Sequence, residues 1–122
     1  MIIEIIATGD EVLTGFTLDT NSAWLCQRLL DEGWQVRRRH TVGDRMDDLV
    51  AILQERGQVA DILLVNGGLG PTSDDKTTEA AALAANVDLE FRPEWQSILV
   101  ERYAARGRIM PESNRKQSCL PQ

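Results

Sequence analysis

The chain has 122 residues, 43% of them hydrophobic and 26% charged, and 13 Lys and Arg against 19 Asp and Glu leave a net charge of −6. That length forms one core and is too short for two domains, no apolar run reaches the ~20 residues that cross a bilayer, and the start Met1-Ile2-Ile3-Glu4 lacks the basic region of a leader. The acidic balance excludes a general nucleic-acid binder, since affinity for the phosphate backbone comes from Lys and Arg; the expectation is a cytoplasmic protein with no nucleic-acid or membrane partner, which needs a cation if it handles phosphates.

The β-branched run Ile2 to Ala7 carries one charge and stops at Thr8-Gly9-Asp10, which predicts a buried strand. A helix follows, capped by Thr20 or Asn21. Ala23, Trp24, Leu25, Cys26, Leu29 and Leu30 form its apolar stripe, and Gly33 ends it. Trp34 to Thr41 alternates like a strand but is too polar for the middle of a sheet, so it belongs near an edge. Asp44 is the expected cap of a second helix, with Met46, Leu49, Val50, Ile52 and Leu53 on its buried side.

Ile62-Leu63-Leu64-Val65-Asn66 is the most apolar strand and the expected sheet centre. The loop Gly67-Gly68-Leu69-Gly70-Pro71-Thr72-Ser73-Asp74-Asp75 follows it and leads into a helix over the alanine-rich stretch Ala80 to Ala85. Leu89-Glu90-Phe91 reads as a short strand. Pro93 suits the first position of a helix whose stripe is Trp95, Ile98, Leu99, Arg102 and Tyr103, up to Gly107. Arg108 to Gln122 has no periodicity and reads as loop. The alternation of strand and helix is that of an open, mostly parallel α/β sheet, in which ligands bind outside the carboxyl ends of the strands.

Three loops leave those ends: Thr8-Gly9-Asp10-Glu11, Thr41-Val42-Gly43-Asp44, and Asn66 through Asp75. A parallel sheet brings them to one edge, where Asp10, Glu11, Asp44, Asp74 and Asp75 can share a crevice. Five carboxylates together are favourable only with a cation or with raised pKa values; taken singly, each also reads as a cap or turn residue. Gly67 to Ser73 has the properties of an anion cradle, with close backbone approach, N–H groups and a helix N-terminus, and Thr72 and Ser73 add hydroxyls. It is neither a P-loop nor a dinucleotide fingerprint, and a plain strand-to-helix turn is the competing reading. Acids beside a phosphate point to a bridging divalent metal, and an oxygen-only donor set suits Mg²⁺ or Mn²⁺ rather than zinc. His40 is a weak ligand without a partner. Arg37-Arg38-Arg39 reads as a solvated strand face, with Arg38 or Arg39 as alternative holders of an anion. Trp24, Trp34 and Trp95 read as core rather than as a stacking platform. Cys26 and Cys119 form no metal spacing or disulfide framework.

Thr8-Gly9-Asp10-Glu11-Val12-Leu13-Thr14-Gly15, Asp19-Thr20-Asn21, Thr41-Val42-Gly43-Asp44, Asn66 through Asp75 and Asn114-Arg115-Lys116-Gln117 together closely resemble the amino-terminal domain of the CinA (competence/damage-inducible protein A) family, within the molybdopterin-binding fold of the MoaB and Mog proteins. The resemblance implies a three-layer α/β/α sandwich over residues 1–122 with its site at the glycine loop. It implies a metal-dependent ADP-ribose pyrophosphatase using Mg, Mn or Co, with catalytic roles for Asp44 and Asp75 and metal ligation by Asp74, Asp75 and Asp44. The substrate contacts expected are Thr8, Gly9, Asp10, Glu11, Asn66, Gly67, Gly68, Gly70, Pro71, Thr72 and Ser73. A pterin- or nucleotide-binding module without hydrolysis is the alternative, but Leu69 stands where molybdopterin binders usually have Thr. CinA-type proteins carry nicotinamide mononucleotide deamidase activity on a separate carboxy-terminal domain, to which nothing here corresponds. Family members also continue past Asn114–Gln117 with a strand pair and a Pro-Gly-Val-Pro loop, so the domain is expected to be incomplete and its exposed sheet edge to favour a homo-oligomer.

Overall fold

In the computed structural model, which describes residues 1–122, the run Ile3–Thr8 forms strand β1, all six residues of which are buried. Next come a short helix α1 (Asp10–Leu13), α2 (Thr20–Asp31), β2 (Val36–Val42), α3 (Met46–Gly57) and β3 (Ile62–Asn66). The chain continues through α4 (Thr77–Ala85), β4 (Leu89–Phe91), α5 (Pro93–Ala105), a 3₁₀ segment (Glu112–Ser118) and β5 (Cys119–Pro121). The order in the main sheet is β2-β1-β3, all parallel, with Ile6 opposite His40 on one side and Val65 on the other. β4 and β5 form a separate antiparallel ribbon. No helix is long and apolar enough to cross a membrane.

Side chains alternate across a strand. Ile6 therefore shares a face with Glu4, and it packs with Val42, Leu49 of α3 and Ala80 of α4 into the core; Met46, Val50, Ile52, Leu53, Leu63 and Val65 border that cluster. Ile3, Ile5 and Ala7 point to the opposite face, on the side of α2. The result is the mixed α/β architecture with a parallel central sheet that the element order predicts.

Several local expectations are corrected. The sheet centre is β1, not β3: β1 is paired on both sides, whereas Ile62 of β3 is 39% exposed and the outer edge of that strand is unpaired. The charge in β1 does not displace it, because Glu4 is neutralised in place. Its carboxylate accepts from Arg56 Nε and Nη2 of α3, both at 2.8 Å, and pairs with His40 Nε2 at 2.8 Å. α2 is capped by Asp19, which accepts from the Ser22 amide at 3.0 Å, rather than by Thr20 or Asn21. Asp44 does not cap α3, which starts after Arg45; its carboxylate accepts from the amide of Asp10, the first residue of α1, instead. Trp24 and Trp34 are 60% and 47% exposed and are not core. Arg108–Gln122 is not loop, since residues 112–121 form the 3₁₀ segment and β5, fastened by the ladder to β4.

Candidate functional site

The carboxyl ends of β1 and β3 open on a cavity of about 210 Å³. Thr8 lines it from β1, Asn66 from the end of β3 with Gly67 just beyond, Glu11 from α1, and Asp19 and Asn21 from the start of α2. Asn21 donates its side-chain amide to Asn66 Oδ1 at 3.4 Å, so the cap of α2 and the end of β3 form one wall. Burial pushes the Asp19 carboxyl up, but hydrogen bonds from Ser22 and the charge of Arg39, 3.6 Å away, outweigh it and leave Asp19 below the ordinary carboxylate range.

The glycine loop leaves β3 in a backbone conformation that only glycine adopts readily. Gly67 and Gly68 have φ of 110° and 66°, and the loop is pressed so close to its neighbours that a Cβ on Gly67 would meet the Thr8 carbonyl at 2.6 Å. Thr77, at the start of α4, fixes this exit. Its hydroxyl donates to the Gly67 carbonyl at 2.6 Å and its amide to the Gly68 carbonyl at 3.2 Å, and Thr8 Oγ1 lies 3.5 Å from its hydroxyl. Further on, Asp75 turns back on the loop and accepts from the Thr72 amide (3.0 Å) and hydroxyl (2.7 Å). The Thr72 hydroxyl holds the Asp75 carboxyl below its ordinary range in spite of burial, helped by the Thr72 and Gly70 amides and by the charge of Lys116. Asp75 is thus an ionised fastener of the turn. The N–H groups of Gly67, Gly68 and Leu69 take no part in the hydrogen bonds that hold the loop.

The 3₁₀ segment secures this loop from outside. Lys116 Nζ bonds the carbonyls of Thr72 and Asp75, and Gln117 Nε2 donates to the Leu69 carbonyl at 3.1 Å. Asn114, itself buried, donates to Gln117 Oε1 at 2.8 Å and to the Tyr103 hydroxyl at 2.9 Å. Arg115 stacks over Phe91, 3.9 Å from the ring centroid, and ties the segment to β4.

The expected site residues therefore fall into three groups. Thr8, Glu11, Asn66 and Gly67 line the cavity. Gly68, Gly70, Pro71, Thr72, Ser73, Asp74 and Asp75 belong to the fastened loop, where Ser73 and Asp74 are exposed. Asp10 and Asp44 form a reciprocal pair beside Gly9 and Gly43: the Asp44 amide donates to Asp10 Oδ1 at 2.9 Å and the Asp10 amide to Asp44 Oδ2 at 3.3 Å. The five acids do not share one crevice, and of these only Glu11 lines the cavity. No three His, Cys, Asp or Glu side chains are gathered as a cation holder, and His40 is spent on Glu4. The Asp10–Asp44 pair alone has the chemistry of a hard-cation site, since Mg²⁺ is commonly held by one or two carboxylates with substrate phosphates in its remaining positions. Sequence reading missed Thr77 and gave no role to Lys116 and Gln117. Their signal was available for the last two only as part of the Asn114–Gln117 string, because the pairing of segments more than forty residues apart leaves no local mark.

Residues 4–121 match the family described as a probable molybdopterin binding domain. The chain belongs to that family. Its CinA-like character is shown by the structure of CinA from Thermoplasma acidophilum, 30% identical, which covers 99% of this chain and 71% of that one at a TM-score of 0.85. A CinA-like protein of Shewanella woodyi is 53% identical over all 122 residues, and a nicotinamide-nucleotide amidohydrolase PncC of Shewanella oneidensis is 49% identical over 121. The chain spans 29% and 28% of the length of these two relatives. The molybdopterin biosynthesis enzyme MoaB of Thermus thermophilus, 21% identical, covers all of this chain and 75% of its own at a TM-score of 0.63, a likeness of fold.

Proposed function

We propose that this CinA-like domain binds a phosphorylated nucleotide at the carboxyl ends of β1 and β3 and hydrolyses a pyrophosphate of the ADP-ribose type. The observation that carries this reading is the glycine loop, whose Gly67, Gly68 and Leu69 amides are free to donate and whose first residue, Gly67, lines the cavity with Thr8, Glu11 and Asn66. Oriented N–H groups at a strand end suit phosphate oxygens, and they offset charge as it develops on a phosphoryl group. A divalent cation, Mg, Mn or Co, held by Asp10 and Asp44 would neutralise the pyrophosphate and supply an activated water. Asp75, with Asp74 beside it, keeps the loop in register, and Thr8 and Asn66 orient the ligand from the strand ends. The reaction consumes one water, breaks the bridging P–O bond and releases AMP and ribose 5-phosphate.

The test is incubation with ADP-ribose and Mg²⁺, Mn²⁺ or Co²⁺, with Asp44→Asn and Asp75→Ala beside the parent. Metal-dependent formation of AMP and ribose 5-phosphate, reduced at least ~100-fold in Asp44→Asn, is the expected result. Binding of a pterin phosphate without turnover would put the binding-module reading first, which the family's description favours. The amidohydrolase activity in the name of the Shewanella oneidensis relative we assign to the part of that protein this chain does not span.

A further inference from the structure

The cavity at the strand ends, about 210 Å³, is smaller than the ~300–1,000 Å³ of sites that enclose a whole ligand. A groove of about 470 Å³ begins on the other side of the glycine loop. Its walls are Leu69 of the loop, Trp95, Leu99 and Arg102 of α5, Leu120 of β5, and Gln117. Trp95, Leu99 and Arg102 stand at i, i+4 and i+7, one face of the helix. α5 buries none of its residues, so this stripe lines an open groove instead of a core. Leu69 is 55% exposed at the junction, and the Gln117 side chain that holds its carbonyl reaches the same groove. The groove therefore starts where the phosphate loop turns. Arg102 holds its guanidinium over one face of the Trp95 ring, 5.6 Å from the centroid, so a stacked base uses the other face of that ring.

Resting on the phosphate-loop reading above, we infer that this groove takes the adenine ring of the nucleotide, with Trp95 as the stacking surface. Apolar walls from Leu69, Leu99 and Leu120 suit the faces of a flat heterocycle, and Thr78 and Arg102 supply polar groups at its edge. Trp95 is then a specificity residue: it selects a phosphate ester that carries a purine over one that does not.

AMP and ribose 5-phosphate differ only by the base, so their affinities, measured by calorimetric titration in Mg²⁺ on the parent, Trp95→Leu and Trp95→Phe, isolate its contribution. The expected result is AMP bound at least ~5-fold tighter than ribose 5-phosphate by the parent, that preference lost in Trp95→Leu and largely kept in Trp95→Phe, and unchanged ribose 5-phosphate affinity throughout. Equal AMP affinity in parent and Trp95→Leu overturns the inference, including when Trp95→Leu changes the sedimentation mass, which would make the groove a contact between copies. Adenosine bound as tightly as AMP, and only with Trp95 present, would support the groove and remove the phosphate-loop reading. No binding of either ester by the parent would overturn both.

Discussion

Gly68 meets Thr77 so closely that a Cβ built on it would lie 2.2 Å from the Thr77 hydroxyl, at a φ of 66° that side chains adopt only at a cost. Gly68→Ala must therefore either move α4 or break the bond from Thr77 to the Gly67 carbonyl. The expected outcome is a loss of roughly 1–3 kcal/mol in urea unfolding together with weakened binding of phosphate esters. Such a loss separates a shaped loop from a passive turn, for which the stability change would come without the binding change. Asp75 acts at the same scale by a different route. Its carboxylate replaces, for the Thr72 amide and hydroxyl, the partners that an irregular loop cannot supply from its own backbone. Asp10 and Asp44 do likewise for each other's amides, which is why two acids can sit together beside the site without collapsing it.

The elements that matter most to the loop come from opposite ends of the legibility scale. β1, β3, α4 and the proline-started α5 were readable because each is a local pattern: a β-branched run, an apolar run, alanines, and a helical stripe behind Pro93. The central place of β1 was not readable, since the neutralisation of Glu4 by Arg56 requires a partner 52 residues away. The same limit hid the strap of residues 112–118, in which Lys116 and Gln117 act on carbonyls 41 to 48 residues earlier. Of the site, the glycine loop and the strand-end acids were legible as types, while their separation into cavity, fastened loop and acid pair depended on hydrogen bonds that no spacing encodes. Lys116→Ala tests the strap. It should raise amide hydrogen exchange across residues 69–75 and cut ADP-ribose turnover at least ~10-fold, with global stability changed by less than ~1 kcal/mol because the lysine is exposed.

For the molecule as a whole, Glu4 links stability to pH. Its hydrogen bonds from Arg56, against the opposing effect of burial and with help from His40, lower its pKa from 4.5 to about 2. A carboxyl depressed on folding contributes stability that is fully present above its unfolded value and is lost as pH falls through its folded value. The urea midpoint should accordingly fall between about pH 4.5 and pH 2, and Glu4→Gln should flatten that part of the profile while lowering stability at neutral pH. Asp19 and Asp75, also lowered, act in the same direction. The sheet has two unlike borders: β2 displays Arg37, Arg38 and Arg39 to solvent, charges that discourage edge pairing, whereas β3 offers an apolar edge. We propose that copies of the chain associate along β3, for which sedimentation should give a mass above 13.6 kDa that falls on dilution.

The strap has a consequence in time. Ribosomes deliver Lys116 only 41 residues after Asp75, an interval of roughly 2 to 8 s at ~5–20 residues per second. Until then the sheet strands and α4 can form, but Leu69, Thr72 and Asp75 lack the partners that hold their carbonyls. The newly made domain thus acquires its sheet before its glycine loop is fastened, and that fastening waits on synthesis through the 3₁₀ segment.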